Sequence, residues 1–369
     1  MEAQPNRRTI AFRADASSRI GSGHVMRCLS LANALVPMGF DCLFLCSENA
    51  GSMSEVIARN GHKVELLQAE VSGLGDSMER LAKEFNWAHD ARACKEALKN
   101  LDVDWLVVDH YGLDSRWEAE VMPKESQLLV IDDLADRPHA SNILLDQNLG
   151  RSEKDYLNLL TRECKLLVGP TYALLRPDFQ KKRDASLARR KNGDVKKLLV
   201  SMGGADPENS VSAILDTLSL MRLPTDLSVT VVVGFNAPNL EAIQRSVERM
   251  PVHTTIRSAV DDMASLMAES DLAIGASGGT SWERCCLGLP TLMLTVADNQ
   301  FGAARALQLA DAAFLLGDVR TEGWRESLRI GIEKCLQPEK VLQLSKNAAK
   351  VCDGAGVSRV IDFISQRMH

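Results

Sequence analysis

Short runs of aliphatic residues alternate with helical stretches along nearly the whole sequence, and this alternation limits the fold more than any other feature. The runs are continuously apolar, which is typical of strands buried on both faces of a parallel sheet. The helical stretch at 25–36 is expected to place Leu29, Leu31, Ala32 and Leu35 on one side. The predicted strands lie at 9–13, 41–46, 105–109, 128–132, 197–202, 228–233, 271–275 and 291–295. The alternation predicts the α/β class, with parallel sheets flanked by helices.

One basic stretch interrupts this pattern. Residues 180–197 hold eight basic and two acidic residues, with almost no apolar side chain. Because no aromatic residue is interleaved, we interpret the stretch as a solvated linker rather than a nucleic-acid or membrane contact. The sequence then predicts two Rossmann-like domains, at 1–188 and 189–369, that face each other across a cleft. The carboxyl ends of the strands would meet at that cleft, where ligands of open α/β sheets bind.

Composition excludes several functional classes. The net charge is −6 and aromatic residues make up only 5% of the chain, which argues against a nucleic-acid partner. No apolar run approaches the roughly 18 residues of a membrane span. The first residues also lack the apolar centre of a signal peptide. We therefore expect a cytoplasmic protein with no membrane partner.

The nine cysteines do not predict disulfides or a metal centre. No two of them form a C-x-x-C pair, so the common zinc spacings are absent. Cys28 follows His24 by four residues and could share a helix face with it, but two ligands without a third do not make a site. We expect reduced thiols, no metal and no cofactor.

The loop at 15–24, between the first strand and its helix, carries the first candidate catalytic residue. Gly21 and Gly23 permit a tight turn, but Met26 stands at the third glycine position of the dinucleotide fingerprint. His24 lies where the helix begins. Because a helix N-terminus disfavours the imidazolium ion, this histidine should stay neutral and accept a proton. The alternative is a histidine that caps the helix or lines a pocket without chemistry.

Residues 276–281, here named the glycine loop, follow the strand at 271–275 and precede a helix. Small residues before a helix leave its free N–H groups open to an anion such as a phosphate. The candidate phosphate-binding residues are Gly278, Gly279, Thr280 and Ser281. Glu283 could reach a ribose diol from the first turns of the helix. Close helix–sheet packing and an ordinary dipole-stabilising acid are the structural alternatives.

A second glycine pair, Gly203 and Gly204, follows the strand at 197–202 and favours backbone contact with a ligand. Asp206 before Pro207 is typical of a helix N-cap followed by proline in the first helical position. A purely structural turn explains the same residues equally well.

Further clusters follow other strands, at 109–112, 172–177 and 298–300. Arg176 could hold a phosphate bidentately, or form a salt bridge between domains. The adjacent acids Asp132 and Asp133 would point to opposite faces of a strand, so they do not predict the paired carboxylates of a glycosidase.

Residues 260–264, 271–275 and 289–290, with Glu283 and the triplet at 278–280, resemble the donor-binding half of the peptidoglycan N-acetylglucosaminyltransferases. Those enzymes have the two-domain glycosyltransferase B fold and use a UDP-sugar. Six motifs in the same order resemble, over nearly the whole chain, the UDP-sugar hydrolases of pseudaminic acid biosynthesis. These motifs lie at 13–17, 20–24, 109–112, 172–176, 202–204 and 299–300.

The resemblance implies that water removes UDP from the anomeric carbon of a 2,4-diacetamido-2,4,6-trideoxy sugar, with inversion and without a metal. It makes His24 the general base, Glu283 the ribose ligand and the backbone at Val260 the uracil ligand. The predicted substrate-binding residues are Asp15, Gly23, Tyr111, Arg176, Gly204, Val260, Gly278, Gly279, Thr280, Ser281, Glu283, Asn299 and Gln300. The free sugar would serve nonulosonic acid synthesis, for flagellin glycosylation or a surface polysaccharide.

The sequence departs from this family in length, at residues 76–98, in the basic stretch and beyond about residue 340. The triplet at 278–280 is also nearer to the transferase pattern than to the serines of some hydrolases. Two alternatives stay open, a UDP-sugar-dependent glycosyltransferase and a non-catalytic UDP-sugar binding protein. The motifs do not determine the stereochemistry of the sugar or the oligomeric state.

Overall fold

The computed structural model describes residues 8–16, 21–48, 53–68, 85–204, 206, 208–234 and 237–367. Parts of three predicted features lie outside the described residues: 17–20 of the first loop, Ala205 with Pro207, and the beginning of the 76–98 segment. The strands are β1 (Arg8–Ala14), β2 (Phe40–Ser47), β3 (Lys63–Leu67), β4 (Val103–Asp109), β5 (Gln127–Ile131), β6 (Ile143–Asp146), β7 (Lys165–Val168), β8 (Lys197–Ser201), β9 (Ser228–Val233), β10 (His253–Ser258), β11 (Leu272–Ala276), β12 (Thr291–Thr295) and β13 (Phe314–Asp318).

Helices follow most of these strands, as the predicted alternation requires. They are α1 (Gly23–Leu35), α2 (Met53–Arg59), α3 (Trp87–Leu98), α4 (Ser115–Val121), α5 (Pro177–Arg189), α6 (Ser210–Ser219), α7 (Leu240–Glu248), α8 (Met263–Glu269), α9 (Thr280–Cys286), α10 (Phe301–Leu309), α11 (Trp324–Cys335), α12 (Pro338–Val351) and α13 (Gly356–Gln366). All eight predicted strands are present, with ends that differ by one or two residues.

The chain divides into two compact units. Unit 1 comprises Met1–Leu174 together with Gly356–His369, and unit 2 comprises Leu175–Ala355. The division therefore falls before the predicted position near residue 188, and the last helix returns to unit 1. The extra tail predicted beyond residue 340 is shared between the units, since α12 lies in unit 2 and α13 in unit 1.

Both sheets are parallel and doubly wound. The order is β3-β2-β1-β4-β5-β6-β7 in unit 1 and β10-β9-β8-β11-β12-β13 in unit 2. Each order reverses direction once, beside the first strand of the unit, and such a switch point is where ligands bind in open α/β sheets. The predicted class, α/β with two Rossmann-like domains, is confirmed.

The first strand shows why these runs are continuously apolar. Ile10 and Phe12 pack in one hydrophobic cluster, whereas Ala11 packs in another on the opposite face of the sheet. Phe12 stacks on Phe44 of β2 with ring centroids 4.8 Å apart. Helices cover both faces of the sheet, so the residues from Ile10 to Ala14 are buried on whichever face they lie.

The basic stretch at 180–197 is not a solvated linker. Residues 180–189 of the stretch lie in α5. Its arginines donate hydrogen bonds to carbonyl oxygens at the C-terminal ends of other helices. Arg183 donates to the carbonyl oxygens of Cys286 and Cys352, at the C-terminal ends of α9 and α12. Arg190 donates to that of Ser270, just past α8, at 2.7 Å. Guanidinium groups suit these positions because the last carbonyls of a helix lack internal partners and carry partial negative charge.

The last helix, α13, completes the core of unit 1. Its residues Val360, Ile361 and Ile364 belong to the same cluster as Ile10 and Phe12 of β1. Arg367, beyond the helix, donates to the carbonyl oxygen of Asn142 at 3.2 Å. Among the residues described, no helix is long and apolar enough to cross a membrane.

We predict that Ile364→Ala lowers the free energy of unfolding of unit 1 by about 2–4 kcal/mol, because it leaves a cavity in a closed core. Ile330→Ala is the matched control, since that side chain is 40% exposed on α11 whereas Ile364 is 0% exposed. Urea unfolding followed by circular dichroism measures both. Equal effects of the two substitutions would show that α13 is not part of the core.

Candidate active site

The switch point of the unit 1 sheet gathers the first candidate site. His24 is the second residue of α1, which follows β1, and Asp109 is the last residue of β4. The His24 side chain is buried, and its Nδ1 lies 3.7 Å from Oδ1 of Asp109. Its ring meets the Tyr111 ring edge-on, with centroids 4.6 Å apart. The predicted base is therefore packed between a carboxylate and an aromatic ring.

Burial lowers the pKa of His24 below its ordinary value of 6.5. Desolvation disfavours the charged imidazolium, and the nearby cation of Arg27 acts in the same direction. The carboxylates of Asp109 and Asp133 oppose the shift without cancelling it. The sequence predicted a neutral imidazole from the helix N-terminus, whereas in the structure burial is the largest cause.

Arg27 connects the groups around His24. Its Nε and Nη2 donate to the two oxygens of Asp109, each at 2.6 Å, in a bidentate ion pair. Its Nη1 lies 2.9 Å from Oδ2 of Asp133, which follows β5. This arginine was not selected from the sequence, although it lies three residues after His24 and so shares a helix face with it.

Tyr111 faces the same cluster. Its hydroxyl lies 3.4 Å from Oδ2 of Asp133, and burial raises the pKa of the phenol well above 10. The tyrosine therefore stays protonated at neutral pH and can donate a hydrogen bond. The sequence did not predict its place beside His24, and its contact with substrate stays a prediction.

Asp15 belongs to a separate buried network. Both of its oxygens accept from the guanidinium of Arg13, at 2.6 and 2.9 Å, and Oδ1 also accepts from the N–H of Ser47. His110 Nδ1 accepts from the N–H of Gly112, so its Nε2 carries the proton and lies 3.3 Å from Asp15. These partners hold the pKa of Asp15 far below its usual range. A structural role at the base of the loop fits this carboxylate better than direct contact with substrate.

The adjacent acids Asp132 and Asp133 have separate partners. Asp133 lies beside Arg27, whereas Asp132 is fully buried and accepts from the N–H groups of Leu134 and Ala135. The Tyr156 hydroxyl donates toward Asp132 and Asp146, at 3.1 and 2.8 Å. Burial, with repulsion from Asp133, raises the pKa of Asp146 to about 7. The two adjacent acids do not form a carboxylate pair of the glycosidase kind.

In unit 2 the glycine loop lies at the corresponding switch point. The N–H of Ser281 donates to the carbonyl of Gly278 at 2.9 Å, and that of Trp282 to Gly279 at 3.1 Å. The Ser281 N–H thus bonds within its own turn, and the contact of Ser281 with a phosphate stays a prediction. Gly279 has helical backbone angles, and a Cβ built there would meet no atom within 4 Å. Open space next to Gly279 leaves room for a ligand to approach the main chain.

Arg176 lies at the start of unit 2 rather than in the first domain. It precedes α5 and its Nη1 donates to the carbonyl oxygen of Asp261 at 3.1 Å. Its guanidinium also lies 5.3 Å from the ring centre of Phe179. Asp261 directly follows Val260, the predicted uracil ligand, so this hydrogen bond places Arg176 beside Val260. In the same region, α5 packs against α8 and α9.

Glu283 belongs to the same region of unit 2. Burial raises its pKa above the usual 4.5, and the charges of Arg176 and Arg284 counter this effect. Three predicted nucleotide ligands, Glu283, Arg176 and Val260, are thus brought together within one unit. A partly desolvated carboxylate beside two arginines can accept hydrogen bonds from a diol.

Of the remaining predicted ligands, three lie on other loops of unit 2 and one lies in unit 1. Gly204 is exposed, and a Cβ there would meet no atom within 4 Å. Asn299 is exposed in the short turn Asp298–Gln300 that follows β12. Gln300 has a structural contact, since its Oε1 accepts from the N–H of Val296 at 3.1 Å. Gly23 opens α1 in unit 1, and a Cβ there would also meet open space.

Asp206 stabilises α6 in a different way from the one predicted. The helix begins at Ser210, and the Asp206 carboxylate accepts from the N–H groups of Ser210 and Val211 at 2.8 and 2.9 Å. The residue directly before the helix is Asn209, so Asp206 is not the N-cap. The described part of the chain holds no cluster of three or more metal-binding side chains.

We predict that the His24 imidazole titrates below pH 6.5 in the native protein, and that Asp109→Asn lowers its midpoint further by removing a charge that favours the imidazolium. A pH titration of the histidine ring signals by NMR measures both, with His24→Gln to assign the resonance. The unfolded chain then binds this proton more readily, so stability falls as the pH drops below about 6.5. A midpoint above 6.5, or a rise in Asp109→Asn, would contradict the electrostatic description.

No protein-family model matches the chain. The chain is 27% identical to the uncharacterized protein MJ1062 of Methanocaldococcus jannaschii over 294 residues, 77% of this chain and 55% of that protein. It is 29% identical to the spore coat polysaccharide biosynthesis protein SpsG of Bacillus subtilis over 199 residues, 53% and 57% of the two chains. The chain thus spans little more than half the length of these two relatives.

A third relative is matched over more of its length. The chain is 28% identical to UDP-2,4-diacetamido-2,4,6-trideoxy-β-L-altropyranose hydrolase of Campylobacter jejuni over 271 residues, 73% of this chain and 85% of that protein.

Solved structures with the same fold include MurG of Acinetobacter baumannii, with a TM-score of 0.65 and 15% identity over 97% of this chain and 99% of that one. The glycotransferase of kitacinnamycin aligns with a TM-score of 0.66 and 15% identity over 98% of this chain and 99% of that one. The chain therefore has the glycosyltransferase B fold, and its resemblance to the UDP-sugar hydrolase, which six short motifs indicated, is confirmed over 73% of its length.

Proposed function

We propose that this protein is a UDP-sugar hydrolase that releases UDP and a free 2,4-diacetamido-2,4,6-trideoxy sugar. The observation that carries the proposal is the buried His24, held neutral beside Asp109 at the switch point of the unit 1 sheet. The similarity to a hydrolase of such a UDP-sugar supports the substrate class. The free sugar would then enter the synthesis of a nonulosonic acid for a flagellin or surface glycan.

His24 acts as the general base in this proposal. A water molecule attacks the anomeric carbon while His24 takes its proton, and the bond from that carbon to the UDP oxygen breaks with inversion. The electron pair of the broken bond stays on the diphosphate. General base catalysis of this kind typically contributes about 10²–10⁴-fold. Asp109 would stabilise the imidazolium that forms, since its charge already favours that form.

The leaving group needs charge stabilisation more than a proton, because UDP is the anion of an acidic diphosphate. In unit 2, the N–H groups of Gly279 and Thr280 and the guanidinium of Arg176 would bind that charge. Loss of one such preorganised donor typically costs roughly 3–4 kcal/mol of transition-state stabilisation. Glu283 and the backbone at Val260 would bind the ribose and the uracil, and the proposed chemistry requires no cofactor.

The sugar would be bound by other predicted residues. Tyr111 is protonated beside His24 and can donate to a sugar oxygen, while Asn299 offers an exposed amide in unit 2. Asp133 and Arg27 surround Tyr111 and fix its orientation. Specificity for one stereoisomer would therefore depend on the loops that follow β4 and β5.

A UDP-sugar-dependent glycosyltransferase is the second candidate, favoured by the fold shared with glycosyltransferases. A hydrolase releases UDP from its substrate in the absence of any acceptor, whereas a transferase requires one and a binding protein releases none. Incubation of the purified protein with the UDP-sugar alone, with UDP measured by chromatography, separates the three. Continuous UDP release supports the proposal, and its absence would overturn it.

We predict that His24→Ala lowers kcat by at least about 100-fold and leaves the Kd of UDP within about twofold, because His24 and the nucleotide ligands lie in different units. His253→Ala is the control, since that side chain is exposed on β10. Single-turnover kinetics and UDP calorimetry measure the two effects. More than about a tenth of the wild-type rate in His24→Ala would exclude the general-base role.

We predict that Glu283→Ala weakens UDP binding by roughly tenfold, because a charged hydrogen bond to the ribose contributes about 1.5–3 kcal/mol. The same substitution should hardly change the affinity for 2′-deoxy-UDP, which lacks one of the hydroxyls. Glu333→Ala, on the exposed face of α11, is the control. Equal losses for both nucleotides would show that Glu283 supports the fold rather than the ribose.

A further inference from the structure

Arg284 is a buried cation at the glycine loop. It lies one turn into α9 and is only 2% exposed. Its Nη1 donates to Oγ1 of Thr280 at 3.1 Å, and its Nη2 donates to the carbonyl of Ala276 at 2.7 Å and to Oγ of Ser281 at 3.1 Å. The guanidinium therefore bonds to both ends of the glycine loop and fixes its shape.

In the strand before the loop, Gly275 leaves space for the Arg284 side chain. A Cβ on Gly275, in β11, would lie 2.7 Å from Nη1 and 3.2 Å from Cζ of Arg284. Glycine weakens a strand interior, so its presence here is explained by the close approach of the guanidinium. The backbone of the loop and the arginine thus form one packed arrangement.

The hydrogen bonds of Arg284 include no charged partner. Its Nε has no hydrogen-bond partner, and all its described partners are neutral oxygens. No ion pair with a carboxylate joins this guanidinium within the described part of the chain. The Glu283 carboxylate favours the charged form of Arg284 without an ion pair between them, and a buried charge that lacks a paired counter-charge is costly. Burial lowers the pKa of Arg284 to about 10, so the group is still charged at neutral pH.

Arg190 shows what a buried arginine of unit 2 looks like when it has a purely structural role. It is 4% exposed, and its Nε, Nη1 and Nη2 all donate to carbonyl oxygens, among them those of Ser270 and Leu287. These carbonyls end α8 and α9, where partial negative charge favours a cation. The Arg284 guanidinium instead donates to Thr280, the first residue of α9, where the partial charge of a helix is positive. The fold therefore compensates the Arg284 charge less than the Arg190 charge: Glu283 favours the charged form of Arg284 but forms no ion pair with it.

We infer that Arg284 is a positioning residue for a diphosphate: it holds the glycine loop in shape and supplies, from behind the loop, the positive charge that the bound anion compensates. This inference rests on the proposed function, since it assigns the nucleotide diphosphate to this loop. It gives a reason for a buried arginine with an unsatisfied Nε next to a loop of small residues. Arg284 acts through the loop and is not expected to touch the reacting atoms.

Binding of UDP and of uridine to Arg284→Met tests the inference, because only UDP carries the diphosphate. We expect the Kd of UDP to rise by roughly tenfold or more, as for loss of an interaction with a charged group. The Kd of uridine, measured by competition in NMR titrations, should stay within about twofold. Arg190→Met is the matched control, which should lower the melting temperature and leave the ratio of UDP to uridine affinity unchanged.

Every outcome is decisive for Arg284. Parallel losses of UDP and uridine affinity, or no loss of either, would overturn the inference. If Arg284→Met does not fold, Arg284→Lys takes its place: retained preference for UDP over uridine supports the role of the charge, and equal loss of both overturns it.

If the wild-type protein binds no UDP, the proposed function itself fails. That result is distinct from a wild-type protein that binds UDP with Arg284 playing no part.

Discussion

The bidentate ion pair between Arg27 and Asp109 joins the first helix of unit 1 to the end of its central strand, and the geometry around His24 depends on it. The two bonds of 2.6 Å join a buried carboxylate to a mostly buried guanidinium, and the third nitrogen of the guanidinium reaches Asp133 beyond the next strand. Removal of one partner from such a pair typically costs about 3–5 kcal/mol, because a buried charge is left alone. One arginine thus fixes the ends of two strands around the histidine.

The same ion pair explains the protonation state of the histidine. A free Asp109 carboxylate 3.7 Å from the ring would favour the imidazolium strongly, but Arg27 shares that carboxylate and adds a positive charge of its own. Desolvation then decides the balance, and the pKa of His24 falls below 6.5. Unit 2 has the opposite arrangement, in which Arg176 and Arg284 surround a glycine loop and Glu283. The charge distribution thus supports the proposal of a proton acceptor in unit 1 and an anion site in unit 2.

The sequence predicted the fold class and eight strands because central strands of parallel sheets are continuously apolar. It missed β3, β10 and β13, which lie at sheet edges and have partly exposed residues, and the four-residue strands β6 and β7. It also misjudged the basic stretch, because the carbonyls that its arginines bind come from helices as far as 169 residues away. Local patterns carry no information on such partners.

Local patterns also decided which residues of the candidate site the sequence could predict. His24 and the glycine loop were found because a glycine-rich turn between strand and helix is a local signal, and the structure places each at a switch point. Arg27 and Arg284 were missed, since an arginine within an amphipathic helix looks like an ordinary solvated residue. The Ser281 N–H was assigned to phosphate, yet it bonds within its own turn. Only three-dimensional packing distinguishes these cases.

The central claim is that water attacks the sugar carbon of a UDP-sugar with His24 as the base. Turnover in ¹⁸O-labelled water, with mass spectrometry of both products, tests it most directly. The account predicts one labelled oxygen in the free sugar, none in UDP, and loss of the labelled product in His24→Ala. Label in UDP would mean attack on phosphorus and would contradict the account, as would an absence of product without an added acceptor.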